Sequence, residues 1–153
     1  MHINFSPEDL WPKRPLVYEA RSERGRSLCF AVKEDGTMPA LVDLKNISDG
    51  KELKRLNSMF DLMARDGPTG MNRRMFIAFI GDDGRDKMAE FRCGDSEGVR
   101  VLCFERPNKE ILLASAFRKP PQNETPPHEK RRAREVLKSH LTRVARESGP
   151  ERR

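Results

Sequence analysis

The sequence predicts an α+β fold, a small antiparallel sheet flanked by helices, and three observations carry that prediction. Leu53, Leu56, Phe60 and Met63 recur at spacings of three and four, the signature of one helical face. Lys87 to Cys93 alternates with the two-residue period of a half-buried strand and is followed by two more short apolar runs, each entered through a turn. A second helical pattern follows a proline-rich connector, with Ala133, Val136, Leu137, His140, Leu141 and Val144 as its apolar side.

The elements follow in order. Behind a Pro-bounded lead-in ending at Pro15, Leu16 to Ala20 and Ser27 to Val32 read as extended runs around the turn Ser22-Glu23-Arg24-Gly25, a first hairpin. Lys33 to Asn46 is punctuated by Gly36 and Pro39, and Ala40 to Leu44 fits a short helix or a strand. Asp49 with Glu52 three residues later forms a capping-box pattern, and Gly67-Pro68 ends the run, which predicts a helix over about 50–64. Met75 to Ile80 has strand length and precedes the turn Asp82-Asp83-Gly84. Lys87 to Cys93, Val99 to Glu105 and Ile111 to Phe117 then form an antiparallel meander, turning at Gly94 to Gly98 and at Arg106 to Lys109. Pro120 to Pro127 leads into a helix over about 128–146. The 153 residues fit a single domain over 1–147, with an N-terminal extension to about residue 48 and a disordered basic tail over 148–153.

Charge is distributed unevenly. Residues 1 to 117 hold 19 Lys and Arg against 19 Asp and Glu, whereas residues 118 to 153 hold 11 against five, so the whole net charge of +6 lies in the last quarter. A segment of this kind suits an anionic partner, most commonly nucleic acid, because each cation held near a phosphate releases counterions. An anionic membrane, an acidic protein or a solvated tail are the other readings. Cys29, Cys93 and Cys103 have no CxxC spacing and there are three histidines, which supports neither a disulfide framework nor a zinc site. No cofactor motif is present, and no stretch approaches the ~20 apolar residues of a membrane span. A cytoplasmic location is expected.

An ordered string of residues carries a family resemblance. Ala64-Arg65-Asp66-Gly67 ends a helix; Glu90-Phe91-Arg92 and Val99-Arg100-Val101-Leu102-Cys103-Phe104 follow. Then come Ile111-Leu112-Leu113-Ala114-Ser115-Ala116-Phe117-Arg118-Lys119 and Gln122-Asn123-Glu124-Thr125-Pro126-Pro127, ahead of a basic helix. From about Lys51 to Arg134 the chain resembles the RelE/ParE superfamily of toxins, specifically its HigB-related, phage-derived branch. The resemblance implies a RelE-like small twisted antiparallel sheet with helices on one side and an open concave face that receives RNA. It also implies a type II toxin that cleaves mRNA on the ribosome and is neutralised by an antitoxin protein of the helix-turn-helix type encoded beside it.

Metal-independent RNA cleavage needs a proton acceptor for the 2′-hydroxyl, cations for the charge gathering on the phosphate, and a proton donor for the leaving oxygen. Arg92 and Arg100 flank one turn and paired strands bring them close, while Arg118 and Lys119 close the neighbouring strand. By resemblance Arg92 matches the arginine after the family's acidic-aromatic pair, and Arg118 with Lys119 its basic pair after the final strand. The alternative for Arg92 is a cross-strand ion pair with a carboxylate. Glu90, on the face of Arg92, together with Lys87 and Tyr18, are the candidates for proton transfer. Many relatives of this branch carry His where this chain has Ser115, and a serine does not shuttle protons as imidazole does near neutral pH. His128 reads as a capping or solvent residue and His140 as a packed one. Lys130, Arg131, Arg132 and Arg134 are the candidate RNA-backbone contacts, or equally a solvated helix face or an antitoxin contact. The competing readings are a binding module that keeps the fold without cleavage and the gyrase-poisoning habit of the ParE side.

Overall fold

The structure is a computed structural model that describes residues 10–11, 15–79, 87–94, 97–121 and 124–148. The expected Asp82-Asp83-Gly84 turn, most of the N-terminal lead-in, Gln122-Asn123 and the tail from residue 149 lie outside them.

Six strands form one mixed sheet: β1 (Leu16–Tyr18), β2 (Ser27–Phe30), β3 (Phe76–Ala78), β4 (Lys87–Cys93), β5 (Val99–Arg106) and β6 (Glu110–Arg118). They lie in the spatial order β1-β2-β6-β5-β4-β3. Among the described residues three longer helices, α1 (Pro39–Ile47), α2 (Gly50–Asp66) and α3 (Pro127–Ser148), complete the α+β fold. The ambiguous segment around Ala40 is therefore helical, started by Pro39 at the first helical turn, where a missing N–H costs nothing.

The sheet departs from the antiparallel expectation at one place. β2 runs parallel to β6, with Ser27 opposite Glu110 and Phe30 opposite Leu113, so the N-terminal extension adds a hairpin to the meander's edge. β2 covers β6 only as far as Leu113, which leaves the remainder of β6 as an edge. There α1 packs, and the Asp43 carboxylate accepts the Ala116 backbone N–H at 2.9 Å, satisfying a donor that no strand takes up.

Both faces of the sheet are buried. On one lie α1 and α2, with Leu53, Leu56, Met59, Phe60 and Met63 packed on Phe91, Val101 and Leu113. Phe60 sits at the centre of a ring chain, 4.9 Å from Phe91 and 5.5 Å from Trp11; truncating a phenylalanine so placed costs about 3–5 kcal/mol. The capping box of α2 forms as the sequence predicts, Asp49 accepting from the Glu52 N–H at 2.8 Å and Glu52 from the Asp49 N–H at 3.0 Å. The other end of α2 is closed by the β1–β2 turn: the Arg21 and Arg26 N–H groups donate to the Ala64 and Met63 carbonyls.

On the second face α3 lays Ala133, Val136 and Leu137 over Met88, Leu102, Phe104, Leu112 and Ala114. Helices thus cover both faces, and the fully open concave face implied by the resemblance is replaced by a cleft at the margin of α3.

Candidate nucleic-acid interface

β4 places Glu90 and Arg92 on the α3 face, because Ala89, Phe91 and Cys93 take the α2 face. Register puts Arg92 directly opposite Arg100. Two like charges so placed repel, and Glu90 reconciles them: its Oε1 accepts from Arg92 Nε at 2.9 Å and lies 3.9 Å from Arg100 Nε. Its Oε2 accepts from the Thr125 hydroxyl at 2.7 Å, which ties the connector ahead of α3 to the sheet. Arg100 and Glu90 are buried, with side chains 5% and 1% exposed, whereas Arg92 is 28% exposed. Arg92 therefore does form an ion pair, though along its own strand, and its outer edge still reaches solvent.

That edge lines a cleft of about 570 Å³ between the end of β4 and the first turns of α3. Arg92 forms one wall; Lys130, Arg131 and Arg134 form the other; Phe79 and Thr125 lie between. Helical spacing explains the second wall, since residues three and four apart share a face of α3. Four cations face this space against the Glu124 carboxylate on its rim and the buried Glu90 beneath it. Lys130 Nζ stands 4.2 Å from the centroid of the Phe79 ring. On the opposite side Arg92 also borders a groove of about 670 Å³ floored by Met59, Leu62 and Met75 and edged by Arg55, Arg65 and Arg74.

The other expected site residues lie elsewhere. Arg118 points to the α2 face, not to Arg92 and Arg100. The cause is a β-bulge between Leu102/Ser115 and Cys103/Leu113 that inserts one residue into β6 and reverses the facing of everything after it. There Arg118 makes a bidentate pair with Glu52, at 2.8 and 3.0 Å, and donates to the Ile47 and Glu97 carbonyls. Hydrogen bonding to Glu52, ahead of the charges of Glu52 and Asp49, holds its pKa above the usual arginine value. Arg92 and Arg100 do come together, and Arg118, on the other face of the sheet, does not join them. Lys119 is half-buried at the end of β6, its backbone N–H on the Gly98 carbonyl and its ammonium 3.5 Å from the Pro120 carbonyl.

Lys87 stands at the far end of β4 opposite Glu105, on the α2 face, five residues and a sheet face removed from Arg92. Tyr18 is on the distant strand β1, donating to Asn57 at 2.6 Å, with burial and then Asp61 raising its pKa. Arg132 turns away from Lys130 and pairs with Asp43 of α1 at 2.8 Å. His128 is exposed, 3.9 Å from Glu129. His140 Nδ1 accepts the Val32 N–H at 3.0 Å, and burial followed by Arg143 lowers its pKa. Ser115 is fully buried opposite Leu102, and its hydroxyl has no hydrogen-bond partner among the described residues.

Burial raises the pKa of all three thiols, that of Cys29 to about 12. Each is a protonated, free cysteine. No described helix is long and apolar enough to cross a membrane.

Two residues of the cleft escaped sequence reasoning. Phe79 falls within a run that reads as buried strand, but β3 stops at Ala78 and leaves its ring half-exposed. Thr125 is visible only as part of a polar, proline-rich connector; a Thr beside a carboxylate needs tertiary pairing to be recognised. No curated protein matches the chain. The sequence profile of the family described as phage-derived protein Gp49-like (DUF891) matches residues 43–138, which run from the Asp43 that caps the edge of β6 to the middle of α3. The chain belongs to this phage-derived Gp49-like family, a family of the RelE/ParE toxin superfamily.

Proposed function

We propose that the protein is the toxin of a type II toxin-antitoxin pair and that it arrests translation in the cytoplasm by gripping mRNA in the Arg92 cleft. One observation carries this reading: Arg92, anchored from behind by a buried carboxylate, faces Lys130, Arg131 and Arg134 across a gap open to solvent. Such a gap suits a phosphodiester, because arginine's planar fork holds two phosphate oxygens and the lysine adds a mobile point charge. On the ribosome the grip would present the 2′-hydroxyl for an internal transesterification without a metal, Arg92 stabilising the charge that develops on the phosphorus oxygens. A helix-turn-helix antitoxin encoded beside the gene is the expected partner.

A second reading, a toxin that occupies RNA without cutting it, is favoured by specific features. Ser115 is buried, no imidazole lines the described cleft walls, and Glu90 is engaged by Arg92 and Thr125 on both oxygens. Expression with and without the neighbouring gene, followed by mapping of message ends on ribosomes, separates the two. Growth arrest with new ends inside reading frames supports cleavage, and arrest with intact message supports occupation. Arg92→Ala should abolish either effect while the protein stays folded, and should lower the salt slope of RNA binding by about one phosphate contact. An arrest undiminished in Arg92→Ala would remove the cleft from the mechanism.

A further inference from the structure

Phe79 stands apart from the other described phenylalanines. Phe30, Phe60, Phe91 and Phe104 are fully buried and Phe76 and Phe117 nearly so, each within an apolar cluster. Phe79 is half-buried: its inner side packs at the margin of the cluster beneath α3, and its remaining surface lines the cationic cleft. Its position is fixed, since its backbone N–H donates to the Met88 carbonyl at 2.9 Å and so extends the β3–β4 ladder by one residue.

We propose that Phe79 is a stacking platform for an unpaired base, so that the cleft takes single-stranded polynucleotide in preference to duplex. This deepens the RNA-binding reading and rests on it. An aromatic ring among cations that can follow a backbone is the arrangement by which proteins hold single strands: the cations take phosphates and the ring takes a base face. In a duplex those faces are already covered by neighbouring bases.

In the unliganded protein Lys130 covers the ring. An exposed cation–π contact of this kind is worth roughly two- to fivefold in affinity. Base–aromatic stacking is worth roughly five- to hundredfold. A base therefore displaces Lys130, and the freed ammonium, on a flexible stem beside Arg131 and Arg134, moves to the adjoining phosphate. Lys130 acts as a placeholder that keeps the ring from presenting a bare apolar surface until RNA arrives.

The test is fluorescence anisotropy of the full chain with a labelled twelve-nucleotide single strand and with the same sequence annealed as duplex. Phe79→Leu keeps apolar volume and removes the π face; it should weaken single-strand binding by roughly five- to hundredfold with an unchanged salt slope, and leave duplex binding as it was. Phe79→Trp should bind the single strand at least as tightly, and its indole fluorescence should be quenched by RNA beyond any change of Trp11 in the parent protein. If Phe79→Leu does not fold, the Phe79→Trp affinity and quenching decide alone. Unchanged single-strand affinity in Phe79→Leu, or no quenching in Phe79→Trp, overturns the platform while the cleft reading stands. Failure of the parent protein to bind any RNA overturns the cleft reading itself.

Discussion

Two arginine–carboxylate groups stand back to back at the same end of the sheet. On the α2 face Glu52 holds Arg118 through a bidentate pair, one charge against one. On the α3 face the Glu90 carboxylate sits between Arg92 and Arg100, and Lys130, Arg131 and Arg134 lie across the cleft. The first group is neutral and fastens a strand end to a helix start. The second shares one buried carboxylate between two arginines and turns the outer edge of Arg92 toward solvent. Counting arginines in the sequence does not distinguish them; the geometry of each pairing does, bidentate and one-to-one on the α2 face, shared between two arginines on the α3 face.

The comparison can be broken most severely at Glu90. Glu90→Ala removes the carboxylate shared by Arg92 and the buried Arg100 and the acceptor of the Thr125 hydroxyl, which should lower stability by about 3–5 kcal/mol in urea unfolding. A loss below about 1 kcal/mol would mean that Arg100 is balanced from elsewhere. Glu52→Ala should cost less, about 1–2 kcal/mol, because half of the capping box survives through Asp49 and the released Arg118 is already partly exposed. It should leave RNA affinity unchanged, the readout that separates the two faces.

The smallest expected effect is a pH dependence from His140, whose folded pKa lies below 6.5. The unfolded chain takes up the proton first as pH falls, so stability is complete above about pH 6.5 and declines as the pH drops through the folded pKa. His140→Gln should flatten that decline in melting temperatures measured between pH 7.5 and 5. A parent profile already flat over this range would contradict the neutral, Val32-bound imidazole.

Much of the fold is legible in the sequence because its signals are local. The capping box, the Gly67 stop, the Lys87 to Cys93 alternation and the apolar stripe of α3 each depend on neighbours within a few residues. The parallel docking of β2 on β6 is not legible, since it pairs residues far apart with no turn to announce it. In the site, Glu90 and Arg92 share a face as simple alternation requires. Arg118 does not, because one inserted residue between Leu113 and Ala116 shifts the phase of the strand, and a bulge between small residues leaves no mark in apolar periodicity. Arg132 looks identical to its neighbours until Asp43, brought close by α1, claims it.

The parallel strand pair also bears on the order in which the molecule assembles. Ser27 must find Glu110 across 83 positions of chain, whereas β4, β5 and β6 meet through short turns. Distant pairings bear the larger closure entropy and form late. The meander is thus the natural nucleus, onto which the early-made hairpin and later α3 condense. Arg92 belongs to that nucleus, while Lys130 lies 38 positions downstream. A nascent chain carries half of the cleft well before the other half exists, and the four cations come together only when the helix has docked.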